Sequence, residues 1–156
     1  MPMSTNLPGL ARSVRTRALC SDDHQACLAL WAQCDGVAVR MWEDASALAQ
    51  FIERNPAMSC AADVAGRLVG TVLCGHDGRR GWLYHVAVDP MWRRRGLATA
   101  MVSRAQAELA KAGVRRVHAV LLSGNRDAMQ FWSAIGWRQR EDLSLVSFEL
   151  GAATLN

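Results

Sequence analysis

The sequence predicts an α/β (α+β) fold whose elements run β-α-α-β-β-β-α-β-α-β-β, and three features of the chain predict it. Residues 60–64, 68–74 and 82–88 are β-rich runs separated only by Ala65-Gly66-Arg67 and by a turn at Asp77-Gly78, the pattern of an antiparallel meander. Val86-Ala87-Val88 then closes at Asp89-Pro90, where proline cannot donate to a ladder, and from Leu97 apolar residues recur at helical spacing through Met101, Val102, Ala105 and Leu109. After Gly113 a further apolar run, 114–122, reads as a buried strand and leads into another helix.

Residues 14–19 alternate as a short first strand. Ser21-Asp22-Asp23 offers an N-cap for a helix running to Cys34, with Cys27, Leu30, Trp31 and Cys34 as its inward stripe. Asp44 or Ser46 can cap a second helix carrying Leu48, Phe51 and Ile52; it stops at Asn55-Pro56, because a residue before proline avoids helical geometry. The meander follows. The helix from Leu97 ends at Gly113, an expected C′ glycine, with Arg104 and Glu108 as an i,i+4 pair on its outer face. A fourth helix starts at Asn125 or Ser123 and ends near Gly136, and residues 137–139 with 143–150 are expected to form a closing hairpin.

At 156 residues and 51% hydrophobic, the chain is long enough for one well-buried core and too short for two ordinary domains. Residues 13–156 are therefore expected as a single domain after a flexible tail, 1–12, which holds Pro2, Pro8 and Gly9 but no continuous apolar segment of the kind a secretory signal needs. Apolar runs break well before the ~18 residues a membrane span requires, so no membrane partner is expected. The cysteines, Cys20, Cys27, Cys34, Cys60 and Cys74, are odd in number and lack C-x-x-C spacing. They read as reduced thiols, which predicts a cytoplasmic location, no disulfide and no metal. The formal net charge is +4, with the excess gathered at Arg79-Arg80, Arg93 to Arg95, Arg115-Arg116 and Arg138 with Arg140. The tryptophans are scattered rather than interleaved with these arginines as stacking platforms, so the basic surface fits a multiply phosphorylated small molecule and not a nucleic acid.

The most informative segment is Asp89-Pro90-Met91-Trp92-Arg93-Arg94-Arg95-Gly96-Leu97-Ala98-Thr99, where a strand end passes through a basic, glycine-bearing turn into a helix. At a helix N-terminus the first N–H groups have no intrahelical partner and the macrodipole is positive, so both stabilise a phosphate. Gly96 lets the backbone approach a ligand, Ala98 keeps the next contact small, and Thr99 adds a hydroxyl. The turn is neither a Walker loop nor a dinucleotide fingerprint, since it has no lysine and a single glycine.

The spacing Arg93-x-x-Gly96-x-Ala98 resembles the Gln/Arg-x-x-Gly-x-Gly/Ala acyl-coenzyme A (acyl-CoA) loop of the GNAT family of N-acetyltransferases. The stretch from Ala62 to Gly70 looks like that family's second hairpin. Asn125-Arg126-Asp127-Ala128-Met129-Gln130-Phe131-Trp132, continuing to Gly136-Trp137, looks like its Asn-x-x-Ala-x-x-Phe-Tyr-x-x-x-Gly-Phe block. The element order over residues 14–150 is similar to its fold. The resemblance implies a mixed, mostly antiparallel central sheet, flanked by helices and splayed at the cofactor site after Val88. It implies acetyl-CoA as cofactor, with the pantetheine arm between that strand and residues 117–122. The arm would pair with the backbone of the Val86-Ala87-Val88 strand, the pyrophosphate would sit on Arg93, Arg94, Arg95, Gly96, Leu97, Ala98 and Thr99, and Asn125, Met129 and Trp132 would line the arm.

The activity implied is acetyl transfer to a primary amine by direct attack, the amine belonging to a small molecule or to a protein N-terminus or lysine. Such chemistry needs a neutral amine, a donor for the oxyanion and a proton for the departing thiolate. A backbone N–H near Val86 is the implied oxyanion donor. The family's proton donor is a tyrosine at the position held here by Trp132, and an indole N–H is too weak an acid to replace it. Tyr84, the sole tyrosine, and His85 are the candidate catalytic side chains; by strand alternation Tyr84 shares a face with Val86 and His85 points the other way. The family's carboxylate-base position holds Trp82, while Asp35, Glu43, Asp44 and Asp77 stand in loops or helix starts that an acceptor amine can reach. Trp31, Trp42 and Trp82 are expected to wall the acceptor pocket. The missing tyrosine motivates a second reading, a non-catalytic acyl-CoA-binding sensor. The sequence leaves oligomeric state open, and a homodimer is compatible with it.

Overall fold

The computed structural model describes residues 14–39 and 44–151. The proposed tail, 1–12, together with Trp42 and Glu43, lies outside the described residues. The chain divides into two compact units between Asn125 and Arg126. Among the described residues, no helix is long and apolar enough to cross a membrane.

The first unit is built on a five-stranded sheet: β1 (Val14–Ala18), β2 (Cys60–Val64), β3 (Arg67–His76), β4 (Gly81–Val88) and β5 (Val117–Ala119) lie side by side in sequence order. The first three pairings are antiparallel and the β4–β5 pairing is parallel, so the sheet is mixed and mostly antiparallel as expected. The meander forms where the turn residues sit. Ala65 and Gly66 both adopt positive φ in the two-residue β2–β3 turn, and the Asp77 carboxylate accepts the N–H groups of Arg79 and Arg80 at 2.8 and 2.9 Å in the next.

One face is covered by α1 (His24–Trp31) and α2 (Ala45–Arg54). The predicted stripe Cys27, Leu30, Trp31 and Cys34 is buried, and with Leu48, Leu73 and Ala87 it forms one core cluster. Asp44 caps α2 by accepting the Ala47 N–H at 2.8 Å, and α2 ends at Asn55 as Pro56 requires. Arg17 joins the sheet to the start of α1, meeting Asp63 at 2.6 Å and Asp23 at 2.8 Å. The other face carries α3 (Leu97–Lys111), which buries Leu97, Met101, Val102, Ala105 and Leu109. Gly81 permits this approach, because a Cβ there would lie 2.7 Å from Leu109 Cδ1. The expected Arg104–Glu108 pair gives way to Lys111–Glu108 at 2.8 Å, an i,i+3 contact one turn nearer the helix end.

β5 is shorter than the run 114–122 suggested. Val114 is consumed by the end of α3, where its N–H reaches Leu109 O at 3.0 Å. Val120 and Leu122 are exposed beyond the last paired residue, Ala119.

The second unit begins with α4 (Arg126–Ala134). Its Trp132 is buried and packs against Phe131 and Trp137, with ring centroids 5.2 and 4.4 Å away. The closing hairpin does not form: residues 137–150 contain no strand, and Leu145, Val146, Phe148 and Leu150 are exposed. Between the two predicted arms, Arg140 and Asp142 close a local ion pair at 2.6 Å, and a two-stranded hairpin with nothing else to pair is marginal in water.

Candidate functional site

The structure departs from a plain ladder in the second half of β4. Thr71 pairs with Ala87 but Leu73 pairs with Tyr84, so His85 and Val86 together oppose Val72. This is a β-bulge, and within it His85 takes a positive φ of 47°. Simple alternation therefore fails, and the predicted faces of Tyr84 and His85 are corrected. Tyr84 and Ala87 share the face covered by α1 and α2; Tyr84 lies edge-on to Phe51 of α2 at 6.1 Å, and the His85 ring packs 4.2 Å from Trp31 of α1.

Backbone direction follows from the register. The N–H of Asp89 donates to Val69 O at 2.8 Å, so by antiparallel alternation Ala87 also faces β3, and the backbone groups of Val88 face the other way. On that side β5 pairs only with Gly81, Trp82 and Leu83. The strands thus part after Leu83, earlier than the expected point after Val88, because β5 ends at Ala119 and the bulge turns β4 away. The carbonyl of Val88 accepts from Arg93 Nε at 3.0 Å, and the Cys34 thiol lies 3.6 Å from it.

The turn after β4 is tied to the sheet by Asp89. Its buried carboxylate accepts the Met91 N–H at 2.9 Å, capping a short 3-10 turn over Pro90–Trp92, and pairs with Arg67 at 2.7 Å. Arg94 and Gly96 then adopt φ values of 59° and 79°, and α3 starts. Gly96 supplies no side-chain cap, and the first bond of the helix runs from the Ala100 N–H to Gly96 O at 3.1 Å. The N–H groups of Leu97, Ala98 and Thr99 accordingly have no intrahelical acceptor. A Cβ at Gly96 would meet nothing within 4 Å, so the space beside that residue is open. Arg93, Arg94 and Arg95 are exposed around it, with the Arg95 guanidinium 4.7 Å over the Trp92 ring.

Tyr84 is 39% exposed and stacks on Trp82, with centroids 6.4 Å apart. Burial, reinforced by the charge of Asp77, holds its phenol above the ordinary value. His118 of β5, unnoticed in the sequence, extends this row at 4.9 Å from Trp82. A cavity of about 500 Å³ beside the end of α1 is lined by Leu28, Trp31, Cys34, Asp35 and Val37, among others. It brings together Trp31 and Asp35 of the predicted acceptor region, whereas Trp82 belongs to the Tyr84 row. Asp44 and Asp77 serve as cap and turn residue. Asn125 sends its N–H to Leu122 O at 3.3 Å and rests its amide against Gly36, where a Cβ would come within 2.6 Å. Met129 and Trp132 lie on α4 in the second unit. Among the described residues no cluster of metal-ligating side chains occurs. Burial pushes the thiols of Cys27, Cys60 and Cys74 up to about 12, 11 and 12, so they are protonated at neutral pH.

Sequence reasoning missed Thr71. It is fully buried in an apolar stretch of β3, its hydroxyl accepts from Trp31 Nε1 at 2.9 Å, and it donates to the carbonyl of His85 at 2.9 Å. The signal was present in the chain, since a hydroxyl between Gly70 and Val72 in a buried strand must have a partner.

The family model for the acetyltransferase (GNAT) family matches residues 18–137. The chain belongs to the GNAT acetyltransferase family. It is an acetyltransferase by family and by relatives: an acetyltransferase of Pectobacterium atrosepticum is 34% identical over 105 residues, covering 67% of this chain and 73% of that one. Solved structures share the GNAT fold. An aminoglycoside N-acetyltransferase in complex with CoA superposes with a TM-score of 0.67 at 18% identity, covering 94% of this chain and 99% of that one. A ribosomal-protein alanine N-acetyltransferase from Escherichia coli gives 0.64 at 20% identity, covering 79% and 76%. These relatives do not favour the non-catalytic sensor.

Proposed function

We propose that this GNAT enzyme is an N-acetyltransferase that moves an acetyl group from acetyl-CoA to a primary amine by direct attack, in the cytoplasm. The observation that carries the reading is the junction of β4 with α3: a strand edge freed from β5, followed at once by three unpartnered helix N–H groups and three exposed arginines. These residues fit the cofactor. The open space over Gly96 admits a pyrophosphate to the N–H groups of Leu97, Ala98 and Thr99, and Arg93, Arg94 and Arg95 supply the counter-charge. The C=O of Val86 and the N–H of Val88 give an amide-bearing arm the partners a further strand would use, the Val88 carbonyl being held by Arg93. Acetyl-CoA supplies the activated acetyl group as a thioester.

The Val86 N–H is assigned to the oxyanion that forms at the carbonyl under attack. Tyr84, half-exposed on the first residue past the last β5 pair, is assigned to return a proton to the thiolate. His85 contributes through its backbone, its ring being packed on Trp31. Asn125 keeps the cofactor role the resemblance implies, and Trp132 transfers no proton. Acetyltransferases of this fold are named for aminoglycosides and for a ribosomal-protein alanine, and the acceptor proposed here is a primary amine of a small molecule or of a protein N-terminus or lysine. The test is thiol release from acetyl-CoA across a panel of primary amines. Release that requires an amine supports the reading; tight CoA binding with no release for any amine replaces it with the sensor.

A further inference from the structure

We propose that Thr71 and Trp31 are positioning residues for the reaction, acting as a buried relay that aims the backbone N–H of Val86 into the gap beside β4. The inference rests on the reading of β4 as the strand that holds the thioester. It starts from a need. At the bulge, Val72 faces both His85 and Val86, so the regular ladder cannot fix the peptide between them. His85 also holds a φ of 47°, which a residue bearing a Cβ keeps only when its surroundings over-determine it.

The relay supplies that determination. Trp31 Nε1–H donates to Thr71 Oγ at 2.9 Å, and an indole can only donate. The Thr71 hydroxyl proton is thereby left to the carbonyl of His85, 2.9 Å away, which can only accept. Direction passes from a side chain of α1 through β3 to one carbonyl of β4. The peptide joining His85 to Val86 is trans and planar, so its C=O and N–H point in opposite directions. A carbonyl drawn toward Thr71 turns the Val86 N–H away from β3, to the side where β5 has ended. Trp31 also grips the other end of the same residue through the His85 ring at 4.2 Å. Both relay side chains are buried, Thr71 at 0% and Trp31 at 3% exposure, so the hydrogen bonds are shielded from competing water.

Thr71→Val keeps the shape and removes the hydroxyl; Thr71→Ser restores it. Thr71→Val should lower kcat by about 10- to 100-fold, with affinity for CoA within about threefold, because a mis-aimed donor is missed chiefly in the transition state. Thr71→Ser should recover kcat to within about threefold of the parent. Nitrogen-15 spectra give a reading without turnover: acetyl-CoA should shift the Val86 amide in the parent and in Thr71→Ser, and leave it in place in Thr71→Val. If Thr71→Val does not fold, Thr71→Cys, similar in volume but a weak donor and acceptor, is judged by the same criteria. A folded variant with kcat within twofold of the parent, or one that loses kcat and CoA affinity in equal proportion, overturns the relay alone. A parent that binds no CoA removes the proposed function, and the relay with it.

Discussion

Replacing Gly96 by glutamate separates the phosphate reading of the turn from every other account of it. Gly96 has φ 79°, and a Cβ there would meet no heavy atom within 4 Å, so the variant suffers left-handed strain but no clash. That strain is about 1–2 kcal/mol, a fall of roughly 2–8 °C in melting temperature for a chain of this size. Gly96→Ala carries the same strain without charge and isolates it. The glutamate adds a negative charge beside the N–H groups of Leu97, Ala98 and Thr99. Like charges ~6 Å apart at an effective dielectric constant of ~40 repel by ~1.4 kcal/mol, about tenfold in affinity for each phosphate charge. A pyrophosphate carries about two such charges, so affinity for CoA should fall roughly 100-fold. Calorimetric titration of the folded proteins reads this directly. Gly96→Ala should remain within about tenfold of the parent, and rising salt should narrow the gap between the two variants. A folded Gly96→Glu protein that binds CoA within threefold of the parent refutes the reasoning.

Tyr84→Phe should lower kcat with CoA affinity nearly unchanged; because the phenol is held above its ordinary value, the alkaline limb it imposes on the rate lies above pH ~10, and identical pH–rate profiles for parent and variant would remove it from the chemistry. In the native protein a thiol-specific reagent should label the exposed Cys20 rapidly and leave Cys27, Cys60 and Cys74 unreacted until unfolding; rapid labelling of any of the three counts against their burial. The same raised thiols set an alkaline limit: their contribution to stability is intact below pH ~9 and is lost as pH climbs toward 11 and 12, which melting curves can follow. Hydrogen bonds from Arg17 hold the Asp23 carboxyl below its ordinary value, so its contribution is present above pH ~4 and is lost as pH falls through the lower folded value. Arg17→Met should flatten that acid limb, and coincident limbs would show the pair to be idle.

Much of the first unit was legible because local chemistry and tertiary context agree there. The buried residues Cys27, Leu30, Trp31 and Cys34, the Asp44 cap, the Asn55-Pro56 stop and the meander turns are each written in a few adjacent residues and appear as read, although α1 ends at Trp31, short of the expected Cys34. The glycine-bearing turn that opens α3 was legible for the same reason. The bulge at His85 was not: no glycine or asparagine marks the positive φ, and it arises from the pairing of Thr71 with Ala87 and Leu73 with Tyr84, which involves residues far apart in the chain. A one-residue insertion reverses every inference from alternation, which is why Tyr84 and His85 were assigned to opposite faces. The final hairpin was over-read, since alternation among Leu143, Leu145, Val146 and Phe148 reports a tendency to pair without supplying a partner.

The anchoring of Asp89 has a thermodynamic consequence. One buried carboxylate ends β4, caps the turn and meets Arg67, so the loop ahead of α3 is folded as an extension of the sheet before any ligand arrives. A loop that must be frozen on binding spends about 0.5–1.5 kcal/mol on each rotamer-rich side chain it orders, and more for its backbone. Here the backbone share has already been met during folding. Binding at this turn should therefore show little conformational entropy loss from the main chain, with the three arginines as the principal groups left to order, and Asp89→Ala should weaken CoA through an entropic penalty with no donor removed.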